Sequence, residues 1–445
     1  MASAAEQLAR NLNFSTFSKA KALQQRIWFT LGALLVYRLG TFVPVPGIDP
    51  DAFRATFEQS QQGIIGMFNM FSGGAVERMA LFALNLIPYI TASIVVQVVA
   101  TASPRLEALK KEGESGRRKM NQYTRYLTVL FCAIQAYGIA IGLEGSQGVV
   151  LNPGWFFRIS TVITLVGGTM FLMWLGEQIT SRGVGNGISL IIFAGIVANL
   201  PATIAQTLEL SRTGAIPGFA GLGMLLMGLV VTAIIVFFER AQRRLLIQYP
   251  KRQVGNKMFQ GDTSHLPLKL NTSGVIPVIF ASSLLLLPAT VASFAAQGTG
   301  AGWLTTITAL LGRGQPLYLF VFGALTIFFT FFYTAIVFNP QETADNLKRS
   351  GGFIPGIRPG ERTAQYIDFV LTRITVIGAL YLTVVALIPE VMFSQLAISH
   401  FLGGTSLLIM VTVTLDTVSQ IQSHLVAQQY EGLLKKSRLG GGKRR

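Results

Sequence analysis

Leu86-Ile87-Pro88-Tyr89-Ile90-Thr91-Ala92-Ser93-Ile94 is echoed far down the chain by Val275-Ile276-Pro277-Val278-Ile279-Phe280-Ala281-Ser282-Ser283. The shared pattern is Ile-Pro-x-Ile-x-Ala-Ser. A proline inside a long apolar segment withholds a backbone N–H and crowds the carbonyl of the preceding turn. A spanning helix therefore keeps one only where neighbours, hydroxyls or water satisfy the freed group. Both copies set the proline among hydroxyls and large aliphatics. If the chain crosses a membrane five times per half, the two copies lie on spans two and seven, and the odd number makes the halves inverted repeats. Matched, interrupted segments in inverted halves point to a passage at the membrane midplane.

Composition agrees with a membrane chain. Of 445 residues, 51% are hydrophobic and only 13% charged, and the mean hydropathy is +0.52; soluble domains carry roughly 25% charged residues. A water-soluble fold would leave far too much apolar surface exposed. The single cysteine, Cys132, excludes an intramolecular disulfide framework and lies in an apolar span, where packing is its expected role.

Ten apolar segments have spanning length, roughly 17 to 25 residues: Ile27–Val43, Met79–Thr101, Tyr126–Leu143, Phe156–Leu175, Ile188–Ala205, Phe219–Phe238, Gly274–Phe294, Leu317–Phe338, Phe369–Ile388 and Phe401–Ile421. The expected class is an all-α polytopic membrane protein, with residues 27–205 as one five-helix half and 219–421 as the other. Residues 1–26 form an N-terminal segment and 422–445 a basic tail. Net charge is +16, and of the 36 Lys and Arg all but six (Arg38, Arg54, Arg78, Arg158, Arg212 and Arg313) fall in tails, loops or span ends on the side of the N-terminus. By the positive-inside rule both termini are expected in the cytoplasm. The first 15 residues lack the apolar core of a signal peptide, so no processing is expected.

The connecting segments carry the functional signals. Outside, Ile64-Ile65-Gly66-Met67-Phe68-Asn69-Met70-Phe71-Ser72 is too short to span and ends at Gly73-Gly74. It fits an interfacial helix on the outer leaflet, or a movable element folded back into a cavity. Inside, the 105–125 loop is basic, and Gly183-Val184-Gly185-Asn186-Gly187 implies a tight backbone turn rather than a phosphate cradle, since no strand precedes it. The large 239–272 loop interleaves Arg240, Arg243, Arg244, Lys251, Arg252, Lys257 and Lys269 with Tyr249, Met258 and Phe259. It fits a merely solvated loop or a docking arm for a phosphate-bearing or acidic partner surface. The 339–368 loop frames Arg358 with Pro355, Gly356, Pro359 and Gly360, which implies fixed, non-helical presentation.

The sequence contains no P-loop, nucleophile–base motif or metal-ligand cluster, and His265, His400 and His424 are scattered. Neither enzymatic chemistry nor a cofactor is expected. Within the spans the formal charges are Arg38, Arg158 and Arg373 toward the ends and Asp416 in the inner part of the tenth. A coupled transporter usually keeps ionisable groups near the midplane. Two functions remain in view: a partner-driven polypeptide channel, and a secondary transporter of a small solute, which also uses inverted repeats.

In order along the chain, several blocks together resemble the SecY family, the central subunit of the bacterial protein-conducting channel. They are Pro44-Val45-Pro46-Gly47-Ile48-Asp49, Ile87-Pro88-Tyr89-Ile90, Gly185-Asn186-Gly187-Ile188-Ser189, His265-Leu266-Pro267-Leu268-Lys269-Leu270-Asn271, Gly356-Ile357-Arg358-Pro359-Gly360 and Gly403-Gly404-Thr405-Ser406-Leu407-Leu408-Ile409. The resemblance implies two halves around an hourglass pore, with spans two and seven as a lateral gate to lipid and residues 64–72 as a plug. It implies a pore ring of Leu86, Ile90, Ile188, Ile192, Ile279 and Ile409, polar gate residues Thr91, Gln135 and Asn271, and docking by Arg243, Arg244, Lys251, Arg252, Lys257 and Arg358. Implied partners are the small membrane subunits SecE and SecG, the motor ATPase SecA, the translating ribosome and secretory chains, at the bacterial inner membrane. Leucine at Asn271 and Thr91 is expected to favour a closed gate by removing buried polar groups. Asn85 stands where the family pattern has glycine, and Asn256-Lys257 where many members have paired arginines.

Overall fold

The computed structural model describes residues 21–60, 69, 72–145, 148–214, 218–250, 252–254, 257–259, 263–285, 315–396 and 404–440. The helices are α1 (Lys21–Gly40), α2 (Pro50–Ser60), α3 (Ile87–Ala102), α4 (Pro104–Lys111), α5 (Glu114–Gly145), α6 (Trp155–Arg182), α7 (Gly187–Arg212) and α8 (Gly218–Arg240). After four strands come α9 (Ile276–Leu285), α10 (Pro316–Val337), α11 (Pro340–Arg349), α12 (Glu361–Leu396) and α13 (Gly404–Gly440). A helix stands at each of the ten positions read from the sequence. Among the described residues six helices are long and apolar enough to cross a membrane, and α3 and α9 are shorter apolar helices.

The two repeat copies share a local geometry that corrects the simple image of a proline-broken helix. Helix α3 starts only at Ile87, with Pro88 in its first turn, and α9 starts at Ile276, with Pro277 next. In the first turn a proline's missing N–H has no intrahelical partner to lose, so it starts a helix rather than breaking one. In the second span the interruption is the non-helical run before Ile87: residues 79–86 form turns, with Met79 and Asn85 at φ of 41° and 48°. Left-handed backbone is glycine's preserve, tolerated next best by asparagine. Asn85 can therefore fill a position where the family pattern has glycine.

Several helices outrun their apolar segments. Helix α5 has 32 residues and begins within the basic 105–125 loop, while α12 has 36 and would measure about 54 Å at 1.5 Å per residue. The hydrocarbon layer is about 30 Å thick, so α12 projects well beyond it.

The described residues up to Ala202, together with those from Val413 onward, form one compact unit, and those from Thr203 to Thr412 form the other. In the first, Val45, Met79, Leu84, Cys132, Phe157 and Leu165 share a core. Cys132 is buried there, its thiol 3.4 Å from Thr169 Oγ1, in keeping with packing. In the second, α10 and α12 pack along their length. There Gly404 meets the carbonyl of Val385, which Pro389 leaves without its helical donor, at a distance that has no room for a Cβ.

The sequence alone suggests no strands in the large 239–272 loop. It folds as two nested antiparallel pairs, β1 (Gln242–Gln248) with β4 (Thr263–Lys269) and β2 (Arg252–Val254) with β3 (Lys257–Phe259). Leu245 and Ile247 are buried while Leu246 between them is exposed, the period of two that a half-covered strand requires. The class is a polytopic helical membrane protein with this one strand-built arm among the described residues.

Candidate functional sites

Most of the candidate residues fall into three local arrangements.

The turn before α7 places the first ring candidate. Three of its backbone N–H groups are taken by side chains from three different helices: Val184 N donates to Thr30 Oγ1 at 3.1 Å, Gly185 N to Gln420 Oε1 at 2.9 Å and Gly187 N to Thr180 Oγ1 at 2.9 Å. Asn186 Oδ1 accepts from Ile188 N at 3.2 Å. Gly187 lies on the carbonyl of Gly176, where a Cβ would collide. The glycines thus serve a pinned turn, as their spacing implied, with the N–H groups of Val184, Gly185 and Gly187 spent on protein.

From that fixed start, Ile188, Ile192, Gly195 and Asn199 follow at spacings of four, three and four residues, and so occupy one stripe of α7. Ile192 is buried and Ile188 partly so. On α3, Ile90 N donates to Leu86 O at 2.9 Å, which puts the Leu86 and Ile90 side chains on one face. Both are buried. In the second unit Ile409 is buried and Ile279 partly buried.

The second arrangement is the end of the proposed plug. Ile64, Ile65, Gly66, Met67, Phe68, Met70 and Phe71 lie outside the described residues, whereas Asn69 and Ser72 lie within them. Gly73 and Gly74 are left-handed, at φ of 69° and 83°, and a Cβ on Gly73 would come within 3.1 Å of the Gly195 Cα. Gly73 therefore rests on the same α7 stripe that carries Ile188 and Ile192. Asn199 Nδ2 donates to Asn69 O at 3.3 Å.

The third arrangement joins two loops that the sequence left separate. Gln248 and Phe353 exchange both backbone hydrogen bonds, each 2.9 Å, and Leu245, Leu268, Ile354, Ile367, Val370 and Ile374 form one core with Ile357 packed against it. The strand arm, the Arg358 loop and the start of α12 are thus one platform. Arg358 is exposed on it, and its carbonyl accepts from Thr363 Oγ1 at 3.0 Å. Gly356 and Gly360 flank it with φ of 83° and 109°, which bears out its fixed, non-helical presentation. Arg243 and Arg244 are exposed on β1, opposite Leu268 and Pro267. Arg252 and Lys257 sit on β2 and β3, Arg252 opposite Phe259 and Lys257 opposite Val254; Lys251 and Asn256 lie outside the described residues.

The gate candidates use their polar groups locally. Thr91 Oγ1 donates to Ile87 O on its own helix at 3.1 Å. Gln135 is buried on α5, and no hydrogen bond reaches its Oε1 among the described residues. Asn271 Nδ2 donates to Glu239 Oε1 at 2.6 Å and to Gly274 O at 3.1 Å, and its Oδ1 accepts from Ser273 Oγ at 3.0 Å. Asn271 therefore shapes the entry to α9 from within the second unit, and the premise that leucine there removes a polar group seeking a partner is corrected. Leucine would take a short, charge-assisted bond from Glu239. The expected result is that Asn271→Leu lowers the stability of the purified protein by about 1.5 to 3 kcal/mol, whereas Thr91→Val costs well under half as much. Equal losses in denaturant unfolding would count against this assignment.

Glu239, Thr30, Thr180, Gln420 and Asn199 were not singled out from sequence. Only Asn199 carries a signal there, since it continues the Ile188–Ile192 stripe. The partners of the others are brought together by the fold.

The long apolar helices, proline-started repeats and basic platform among the described residues define a polytopic membrane protein. A family model described as SecY matches residues 80–418. The protein translocase subunit SecY of Rickettsia felis is 55% identical over 431 residues, 96% of this chain and 99% of the relative. That of Escherichia coli K12 is 54% identical over 422 residues, 94% and 95% of the two chains. The chain belongs to the SecY family. In fold it is similar to a solved protein-conducting channel, with TM-score 0.65 and 16% identity, covering 91% of this chain and 93% of that one. It is also similar to Sec61 in a canine ribosome–channel complex from the endoplasmic reticulum, with TM-score 0.61 and 15% identity over the same shares. A small-solute transporter is not favoured by these likenesses.

Proposed function

We propose that the chain is the pore-forming subunit of a protein translocase, which conducts unfolded polypeptide across the bacterial inner membrane and releases hydrophobic segments sideways between spans two and seven. Residues 27–205 and 219–421 act as the two halves, and both termini face the cytoplasm. Leu86, Ile90, Ile188, Ile192, Ile279 and Ile409 form the constriction, and residues 64–72 plug it from outside. The observation that carries this reading is the α7 stripe, where two ring isoleucines and the seat of the plug hinge follow one another on one helix face. A channel needs its seal and its stopper in line.

Thr91, Gln135 and Asn271 border the lateral gate. The platform around Arg358, with Arg243, Arg244, Lys251, Arg252 and Lys257, receives the SecA motor or the ribosome, and these partners or the proton-motive force supply the energy. SecE and SecG complete the complex, so two small membrane proteins are expected to copurify in mild detergent.

The test is site-specific crosslinking. A photoreactive residue at Ile192 or Ile90 should capture a stalled, half-secreted chain, while one at lipid-exposed Ile163 should not. Failure at both ring positions, with the chain demonstrably engaged, would remove the pore assignment.

A further inference from the structure

We propose that Arg373 of α12, seated on the ring of Phe369, binds the headgroup phosphate of an acidic phospholipid in the leaflet at the N-terminal end of α12. The inference rests on α12 being a membrane span and is independent of what the channel conducts.

The charge stands on a face made for lipid. Phe369, Arg373, Val376, Leu380 and Val384 follow at spacings of four, three, four and four residues, and so share one stripe of α12. All five are exposed. The small residues of the same helix are turned to the protein: a Cβ on Gly378 would come within 2.7 Å of the Leu270 carbonyl oxygen, and Ala379 and Ala386 are buried. Spanning helices approach one another through small residues. Helix α12 spends its own inside the second unit and leaves large apolar side chains and one cation on the outer stripe.

Arg373 is held without being neutralised. Its Cζ lies 3.9 Å from the centroid of the Phe369 ring, close enough for cation–π attraction to hold the guanidinium there. A guanidinium stacked on a ring still presents N–H donors around its edge. The residues one turn away on either side, Phe369, Val370, Val376 and Ile377, include no acid. Asp368 is five residues back, about 140° round the helix, and among the described residues no carboxylate pairs with Arg373.

Depth supplies the ligand. The apolar segment begins at Phe369, so Arg373 lies about 6 Å inside it. Helical side chains lean toward the N-terminus, which carries the guanidinium back to the headgroup level, as long basic side chains reach out of hydrocarbon. Every phospholipid has a phosphate at that level, but a zwitterionic one brings a cation with it. An unpaired guanidinium therefore selects the lipid with net negative charge, by a factor of about five for one basic residue near the surface.

The experiment reads lipid at this one place. The four native tryptophans are replaced by phenylalanine and a single reporter is introduced one turn deeper as Ile377→Trp, with Leu380→Trp as a second, separate reporter. The full complex is reconstituted in vesicles of phosphatidylglycerol and phosphatidylcholine, with brominated chains on one lipid or the other, and secretion of a reporter protein checks that each variant is folded. Brominated phosphatidylglycerol is expected to quench with about fivefold higher apparent affinity than brominated phosphatidylcholine. Arg373→Gln should bring that ratio to about one, whereas Arg362→Gln, which removes an exposed charge nearer the start of α12, should leave it unchanged.

Equal quenching by the two lipids in the parent chain would overturn the proposal. So would a preference that survives Arg373→Gln, or one that Arg362→Gln removes as fully, since either result means that the basic surface as a whole attracts the lipid. Absence of quenching by both lipids at both reporters would show the stripe covered by protein, and the lipid site would fall.

Discussion

Serine at Ile90, Ile188 and Ile192 together should raise the resting ion conductance of the reconstituted channel by an order of magnitude or more, while valine at the same three positions should leave it near the starting value. A waist of branched aliphatics stops ions by excluding water, since an ion would have to shed its hydration with nothing to replace it. Such a seal needs no specific bond, so a passing chain can push it aside and it can reform. Serine hydroxyls would hold water in the waist, whereas valine preserves branching and apolarity with one methylene fewer. The pinned turn before α7 fixes the height of Ile188 and Ile192, and the Leu86–Ile90 backbone bond fixes that of Ile90. Buried Ile→Ser changes also cost stability, so the valine set and a folding check on each variant separate leakage from unfolding. A folded triple-serine channel that conducts no more than the valine channel would take these residues out of the ring.

Much of this was legible in the sequence because it is written in local chemistry. Apolar length sets the spans, and the repeated prolines mark the second and seventh as interrupted, although the helices prove to start at those prolines rather than to break there. The departure at Asn85 was visible in the sequence, but its meaning came from the structure: the position has left-handed backbone, which asparagine tolerates next best after glycine. The Gly183–Gly187 turn was readable as tight backbone.

What could not be read depends on partners far apart in the chain. Nothing near Asn271 points to Glu239, 32 residues earlier, and nothing near Val184 points to Thr30, 154 residues earlier. The strand arm hid for a different reason. On β1 and β4 only Leu245, Ile247 and Leu268 are buried, so the alternation is short and the many basic residues read as solvated loop. Its union with the Arg358 loop rests on the Gln248–Phe353 backbone pair, which leaves no side-chain signature at all.

That union bears directly on the strongest expectation for docking, which is that Arg358→Lys should impair secretion almost as severely as Arg358→Glu, each by a factor of ten or more. Charge alone is the weaker hypothesis for this residue. Arg243 and Arg244 stand exposed on β1 of the same platform, and a diffuse positive field would survive the exchange of one arginine for lysine. Arg358 differs from them in being held. Gly356 and Gly360 turn the chain on either side of it, Thr363 bonds its carbonyl, and Ile354 and Ile357 anchor the turn in the core beneath. A backbone so fixed has value when the side chain must meet its partner at a set angle, as a guanidinium does in a paired, planar contact that an ammonium cannot copy. The measurement is secretion of a reporter in cells with each variant at matched abundance, alongside binding of the motor and of ribosomes to the purified complex. Arg243→Lys should be almost silent in all three assays. If Arg358→Lys proves equally silent while Arg358→Glu blocks secretion, the contact reads only charge, and the rigid turn serves the stability of the platform rather than recognition.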